Sequence, residues 1–195
     1  MRKLILSMRI SLDGFAAGPE GELGWMSPTT DAQWEALFDL LDHTDLLLLG
    51  GGMWAGYRDY WSSVLHGEGH SEYDRRYARY AERTQHLIFS ATLRDAKWPG
   101  ARIENGDAAA RIRLLKEQSG RDMQIVGGAQ FAATLIESGL VDEYRLEVNP
   151  VLLGSGKPLF PKLQQQRFLR RTDVLSLDNG VTVLTLVPAE GTPDH

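Results

Sequence analysis

Residues 46–57 read LLLLGGGMWAGY, and this stretch decides the fold. Four consecutive leucines are typical of a strand that is buried on both faces, as strands of parallel sheets are. We therefore predict a strand over residues 45–50 and a short helix over residues 52–61. Glycines at such a junction let a phosphate group or a neighbouring segment approach the backbone closely.

Two other predicted strands lead into similar turns. Leu87–Phe89 are followed by Ser90-Ala91-Thr92, and Ile125-Val126 by Gly127-Gly128-Ala129-Gln130. Open α/β sheets bind ligands beyond the carboxyl ends of their strands, and helix N-termini at that edge attract phosphate. The glycine-rich turns match neither GxGxxG nor the GxxxxGK[ST] phosphate loop. Together the three turns predict a ligand site; the alternative is that their glycines only pack helices against strands.

The rest of the chain alternates between the two kinds of element. The period of the apolar residues predicts strands at 3–12, 86–90, 101–104, 123–126 and 144–148, and a hairpin at 167–187 around Asp178-Asn179-Gly180. Apolar period and cap residues predict helices at 30–42, where Thr30 and Gln33 form a capping box, from Ser71 onward, from Asp107 to Gly120, and at 129–138. The segments at 16–25 and 62–70 are predicted to be loops. Such alternation implies a largely parallel sheet with helices on both faces and an antiparallel hairpin at one edge. We predict one α/β domain over residues 3–187 and a C-terminal tail over 188–195.

Composition excludes several functional classes. The 195 residues include 43% hydrophobic residues, enough for a sizeable core, and their net charge of −5 has no dense basic cluster for nucleic acid. The chain has no cysteine, so thiol catalysis and cysteine-based zinc sites are ruled out. No apolar stretch is long enough to span a membrane, and we predict a cytoplasmic protein.

Two acids are candidate proton donors, and one histidine-rich segment is a candidate metal site. Asp13 follows the first strand and Asp31 lies in the first turn of the first helix, where an acid also serves as a simple turn or cap residue. Residues 66–70 read HGEGH. The glycines in that segment and the absence of HExxH favour a solvated loop, so we predict no metal.

Several motifs follow one another in a fixed order along the chain: SLDGF at 11–15, the glycine turn at 46–52, SATL at 90–93, VGGA at 126–129, GLVDE at 139–143 and PVLLGSGKPLF at 150–160. In this order they resemble the dihydrofolate-reductase-like family. More specifically, they resemble the branch related to the reductase domain of the bifunctional riboflavin-biosynthesis deaminase–reductase. The resemblance runs from residue 3 to about residue 187. It implies a three-layer αβα domain with a mixed sheet, NADPH as hydride donor, a small-molecule substrate and frequent homodimers.

The resemblance also implies roles for individual residues. The nicotinamide would lie near Ala16 and Ala17, the diphosphate near Gly50, Gly51, Gly52 and Met53 and near Gly127, Gly128, Ala129, Gln130 and Phe131, and the adenosine end near Ser90, Ala91 and Thr92. The substrate side would include Phe15, Trp25, Val126, Asn149, Gly154, Gly156 and Lys157. Trp25 and Asp31 resemble the tryptophan and substrate-binding acid of dihydrofolate reductase, with one extra residue between them. The bond between the two glycines at 127–128 is often cis in this family.

Departures from the family pattern bear on cofactor and substrate. Dihydrofolate reductases often have Gly-Arg-x-Thr where this chain has Gly50-Gly51-Gly52-Met53, so the preference for NADPH over NADH should weaken unless Arg94 substitutes. Phe15 and Val126 replace a lysine and a glutamate of the riboflavin-pathway enzymes, which favours a flatter, more apolar substrate such as a flavin or pterin-like ring. We predict an NAD(P)H-dependent reductase. The alternative is a binding protein of the same fold that holds FMN or another aromatic ligand without turnover.

Overall fold

Strands and helices alternate along most of the chain in the computed structural model, which describes residues 1–160 and 163–189. Within those residues the elements are β1 Leu4–Ser11, β2 Phe15–Ala17, α1 Asp31–Asp42, β3 Thr44–Gly50, α2 Gly51–His66, α3 Glu72–Arg83, β4 Gln85–Phe89, β5 Ala101–Glu104, α4 Ala108–Glu117, β6 Asp122–Gly127, α5 Ala129–Glu137, β7 Glu143–Asn149, β8 Lys157–Pro158, β9 Leu169–Ser176 and β10 Thr182–Pro188.

One eight-stranded sheet has the order β5-β4-β3-β6-β1-β7-β10-β9. Every neighbouring pair from β5 to β7 is parallel, and β10 pairs antiparallel with both β7 and β9. From β3 the chain continues to β4 on one side, whereas from β6 it continues to β7 on the other. The boundary between β3 and β6 is therefore the point where the winding reverses, which is where open α/β sheets bind ligands.

The four leucines of β3 face two separate cores. Leu46 and Leu48 pack on the side of α4 and α5, whereas Leu47 and Leu49 pack on the side of α1, α2 and α3. Successive residues of a strand point to opposite faces, so a run of leucines serves both layers. This confirms the three-layer α/β arrangement with a mostly parallel sheet and a C-terminal antiparallel hairpin.

Two predicted loops contain regular structure. Helix α2 was predicted to end at residue 61, but it extends to His66 because the buried stripe of Trp54 and Tyr57 continues to Val64 at helical spacing. Residues 62–66 are therefore helical rather than a loop. The predicted loop at 16–25 begins with strand β2, which pairs with β8 from a distant part of the chain. These strands have three and two residues, too few to show a period.

Two further expectations concern the ends and the backbone. Strand β10 extends to Pro188, and Ala189 N donates to Phe168 O at 2.9 Å. The remaining residues of the predicted tail, 190–195, lie outside the described residues. No peptide bond is cis in the described part of the chain, so the expected cis bond at 127–128 is wrong here. The turn is made instead by Gly128, which has a φ of 93°.

Candidate active site

Three strand ends meet at the carboxyl edge of the sheet, at the reversal point between β3 and β6. A Cβ atom placed on Gly128 would lie 3.1 Å from Gly50 N and 3.2 Å from Gly50 Cα. A Cβ on Gly51 would lie 2.5 Å from Ser90 Cβ. The three turns that the sequence singles out are therefore in mutual contact, and glycine is required there because the segments pack so closely.

The helices that begin at these turns lack side-chain caps. Helix α1 is capped by Thr30, α3 by Ser71 and α4 by Asp107, each accepting a backbone N–H of its first turn. Helices α2 and α5 have Gly50 and Gly128 as N-cap residues, without a side-chain cap and without an acid in the first turn. Their first N–H groups also have no intrahelical acceptor. The two uncapped N-termini lie side by side, and the positive ends of two helix dipoles so close together favour an anion.

Gly52 differs from the two glycines before it. A Cβ on Gly50 would lie 2.9 Å from Phe131 Cβ, whereas a Cβ on Gly52 would meet no described atom within 4 Å. Gly50 and Gly51 therefore allow neighbouring segments to pack closely, which was the alternative to a ligand site in the sequence analysis. Gly52 presents an exposed stretch of helix backbone to open space, which a bound group can approach.

The other residues assigned to the cofactor line the same edge. Ala129, Gln130 and Phe131 form the first turn of α5, and the Phe131 ring stacks on Phe89 with centroids 4.9 Å apart. A Cβ on Gly127 would lie 2.0 Å from Met53 Sδ, so Met53 covers that glycine. These side chains make one wall of the site apolar.

Ser90 organises the turn after β4. Its Oγ accepts from Thr92 N at 3.2 Å and from Leu93 N at 3.1 Å. Arg94 is exposed, and its Nη1 donates to Ala91 O at 3.1 Å. The guanidinium thus lies at the outer end of the turn, against the backbone carbonyl groups of Ala91 and Leu93.

Asp13 ties the end of β1 to the segment after β7. Its carboxylate accepts from Ser11 Oγ at 2.6 Å, from Leu153 N at 3.1 Å and from Gly154 N at 2.8 Å. The hydroxyl of Ser11 and these backbone N–H groups lower the pKa of Asp13 below its usual value. At neutral pH Asp13 is therefore an ionised anchor that holds no proton to donate.

The segment around Gly156 supports the residues assigned to the nicotinamide. A Cβ on Gly156 would lie 2.3 Å from Ala17 O and 3.2 Å from the Phe15 ring. Ala16 is buried in the core on the α5 side. Lys157 Nζ reaches the following loop, where it would lie 3.0 Å from a Cβ on Gly21. These contacts hold β2 and β8 together beside α5.

Other predicted site residues make their contacts elsewhere than at the first turns of α2 and α5. Asp31 is the exposed first residue of α1, and the indole of Trp25 donates to Glu22 O within its own loop at 3.1 Å. Val126 packs against the core on the side of α1, α2 and α3. Asn149 is 1% exposed, and its amide atoms bond Ser27 N, Ile10 O and Glu147 O. Its polar atoms thus already have protein partners.

The histidine-rich segment is divided between a helix and a turn. His66 ends α2, and the His70 ring lies edge-on to Tyr60. Across residues 1–160 and 163–189, no group of three or more metal-binding side chains comes together. In the same residues, no helix combines the length and the apolar character that a membrane span requires.

Sequence reasoning missed a polar network beneath the N-terminus of α1. Arg9 on β1 donates to Glu147 Oε2 at 3.0 Å and to Thr29 Oγ1 at 2.8 Å, and Gln33 and Asn179 join the same network. The only local signal was Arg9, a charged residue within an apolar strand.

Comparison with known proteins places this geometry in a family. Uncharacterized protein YyaP of Bacillus subtilis is 29% identical over 180 residues, which span 92% of each chain. A putative riboflavin biosynthesis protein from Shewanella sp. PV-4 superposes with a TM-score of 0.76 at 18% identity, over 97% of this chain and 100% of that one.

Two reductases share the fold at greater distance. One is a Thermotoga maritima diaminohydroxyphosphoribosylaminopyrimidine deaminase/5-amino-6-(5-phosphoribosylamino)uracil reductase, with a TM-score of 0.67 and 15% identity over 96% of this chain and 57% of that one. The other is Enterococcus faecalis dihydrofolate reductase complexed with NADP(H), with a TM-score of 0.62 and 13% identity over 96% of this chain and 97% of that one. The model of the RibD C-terminal domain matches residues 2–183, so the chain belongs to the RibD C-terminal domain family.

Proposed function

We propose that this protein is an NADPH-dependent reductase of small carbonyl, imine or heteroaromatic substrates. One observation carries the proposal: the two helices without side-chain caps start side by side at the reversal point of the sheet. Each N-terminus offers free N–H groups and a positive dipole end, and a dinucleotide diphosphate carries negative charge on both phosphates. Family membership supports the same ligand class.

The residues of this edge fit such a cofactor. Gly52 leaves room for a phosphate at the start of α2, and no acidic side chain lies in the first turn of either helix. Arg94 is an exposed cation on the turn after β4, where its Nη1 donates to the backbone carbonyl groups of Ala91 and Leu93, and we assign it to an additional phosphate on the adenosine end. The cofactor would therefore be held mainly by backbone, and the preference for NADPH over NADH would depend on Arg94.

When bound, the nicotinamide supplies a hydride to an electrophilic carbon of the substrate, and a proton from solvent reaches the adjacent oxygen or nitrogen. The protein holds the rings in contact and excludes water with the loop of residues 18–26. Asp13 stays ionised and fixes the backbone of residues 153–154 beside the site. Asp31, exposed at the start of α1, is the carboxylate that we assign to orienting the water that delivers the proton.

Titration with NADPH, followed by nicotinamide fluorescence, tests the proposal, with NADH titrated in parallel. We expect saturable binding of both, tighter for NADPH. NADPH oxidation is then assayed with a ketone, a pterin and a flavin panel. No binding up to millimolar NADPH would refute the proposal. A yellow chromophore on the purified protein without NAD(P)H consumption would favour the alternative of an aromatic-ligand binding protein.

We also propose a homodimer that covers the edge hairpin. Val174 and Leu175 point to opposite faces of β9, and they are 44% and 38% exposed. Strand β9 is the edge strand of the sheet, and a second copy would remove this apolar surface from water. Light scattering at micromolar concentration tests this proposal: a mass of one chain would contradict it.

A further inference from the structure

The loop between β2 and α1 has two parts with different attachments. From Gly18 to Met26, every hydrogen bond of the described structure stays within the loop, for example Gly18 N to Glu22 O at 3.0 Å and Met26 N to Leu23 O at 3.1 Å. Most of this part is exposed. It is therefore a flap with internal hydrogen bonds, positioned by its two ends and by the Lys157 side chain beside Gly21.

The first end is fixed by the ladder between β2 and β8, and the second end by residues 27–30. Ser27 N donates to Asn149 Oδ1 at 2.9 Å, and Arg9 Nη2 donates to Thr29 Oγ1 at 2.8 Å. Asn149 is buried at the end of β7, and Arg9 lies on β1. Two central strands thus hold the segment that leads from the flap into α1.

The C-terminal hairpin supplies a third attachment through Asn179. Its Nδ2 donates to Pro28 O at 2.8 Å and to Gln33 Oε1 at 2.8 Å, while its Oδ1 accepts from Val181 N at 3.1 Å. Two carbonyl oxygens on one side and an N–H on the other fix the orientation of this amide. One amide thus closes the hairpin turn with its oxygen and holds the base of the flap with its nitrogen.

Glu147 connects these attachments beneath the start of α1. Its Oε2 accepts from Arg9 Nε at 3.0 Å and from Gln33 Nε2 at 2.5 Å. Gln33 is 4% exposed, and its Oε1 also accepts from Thr30 N at 3.0 Å. The cap of α1, the hairpin turn and strand β7 therefore share one connected set of hydrogen bonds, which holds residues 27–30 in a single arrangement.

We propose that Asn179 is a positioning residue, through which the C-terminal hairpin fixes the flap of residues 18–26 and the adjoining start of α1 over the active site. The catalytic consequence rests on the proposed reductase function, because the flap lies next to the residues assigned to the nicotinamide and α1 carries Asp31. The structural role of Asn179 does not rest on that function, because the hairpin orders the flap whether or not a cofactor binds. Asn179 itself touches neither substrate nor cofactor in this account.

The substitution Asn179→Asp separates the two roles of this side chain. Aspartate keeps an oxygen for Val181 N, so the turn still closes, but it loses both donated bonds and faces two carbonyl oxygens. Asp178→Asn in the same turn is the matched control, since Asp178 is exposed and its side chain makes no hydrogen bond within the described structure. Thr29→Val loosens the same segment from the side of Arg9 and leaves the hairpin unchanged.

Hydrogen–deuterium exchange of the ligand-free protein is the primary readout. We expect residues 18–30 to exchange about tenfold faster in Asn179→Asp, the scale for two lost hydrogen bonds, and faster by a smaller factor in Thr29→Val. Asp178→Asn should match the wild type, and α4 should exchange at the same rate in all four proteins. Wild-type exchange of residues 18–30 in Asn179→Asp would overturn the proposal.

A second readout addresses catalysis. With a substrate in hand, Asn179→Asp should raise KM several-fold relative to Asp178→Asn at a temperature at which both variants are folded. An unchanged KM together with faster exchange would overturn the link from flap to site. If wild-type protein fails to bind NADPH, the proposed function falls, but the exchange experiment still decides the role of the hairpin.

Discussion

Acid should destabilise this protein through one buried histidine. His86 on β4 is 1% exposed among Trp54, Tyr57 and Trp98. Its Nδ1 lies 2.9 Å from Thr84 O, which can only accept, so Nδ1 carries the proton of the neutral ring. Nε2 then accepts from the Tyr57 hydroxyl at 3.3 Å, and Tyr57 in turn accepts from Tyr77 at 3.1 Å.

Burial lowers the pKa of His86 from 6.5 to about 4, despite the hydrogen bond to Thr84 O, because a charged imidazolium is poorly solvated there. The unfolded chain therefore binds a proton to this ring between pH 6.5 and about 4, and the folded protein does not. Stability contributed by the neutral ring is complete above pH 6.5 and is lost as pH falls toward 4. Linkage gives a loss of roughly 2–3 kcal/mol at pH 4.5.

Urea unfolding of the wild type and of His86→Gln at pH 7.5 and pH 4.5 measures this loss. Carboxylates contribute to acid destabilisation in both proteins, so the difference between their pH dependences isolates the ring. We expect the wild type to lose roughly 2–3 kcal/mol more than the variant. His43→Gln, at an exposed histidine, should behave as the wild type does. Equal losses in the wild type and in His86→Gln would refute the assignment.

Three further predictions address the cap, the turn and the cofactor. Gly128→Ala should lower the free energy of unfolding by about 1–3 kcal/mol in urea denaturation, because its φ is 93° and the new Cβ meets Gly50 backbone at 3.1 Å; an unchanged value would contradict the close packing. Thr30→Ala should cost about 1 kcal/mol in the same assay, because it removes the N-cap bond to Gln33 N; no loss would show that the cap is not needed. Arg94→Ala should lower the ratio of NADPH to NADH affinity by about fivefold in fluorescence titrations, the scale of an exposed ion pair; a constant ratio would assign the selectivity elsewhere.

Helix caps and turns could be predicted because the interactions that form them join residues close together in the sequence. The capping box of Thr30 and Gln33, the cap at Ser71 and the hairpin around Asn179 each depend on residues within a few positions of one another. Helix α2 was predicted too short because its stripe continues to Val64, past two serines, into a segment rich in histidine and glycine.

The glycine turns of the candidate site could be predicted because each is a short local pattern, whereas their contacts with one another could not. The glycine turns predicted that another group comes close to the backbone, but the identity of that group depends on the strand order. In the structure, Gly51 packs against Ser90, whereas Gly52 faces open space. The β2–β8 ladder and the bonds of Asn179 join segments more than 130 residues apart. Such pairings follow from the complete topology and leave no trace in a short window of sequence.

We propose that the paired N-termini of α2 and α5 hold the cofactor's phosphates, and one pair of variants tests this proposal directly. Gly52→Asp places a carboxylate in the first turn of α2, where open space admits it and the helix dipole stabilises it. Gly56→Asp places the same group one turn further along, also into open space. The measurement is the NADPH dissociation constant of each variant by nicotinamide fluorescence.

The carboxylate at position 52 would occupy the anion site and repel the diphosphate, whereas the one at position 56 lies about 6 Å further along the helix axis. We predict that Gly52→Asp is folded, with a melting temperature at or above that of Gly56→Asp, and binds NADPH at least tenfold more weakly. Equal NADPH affinity in the two folded variants would contradict the account.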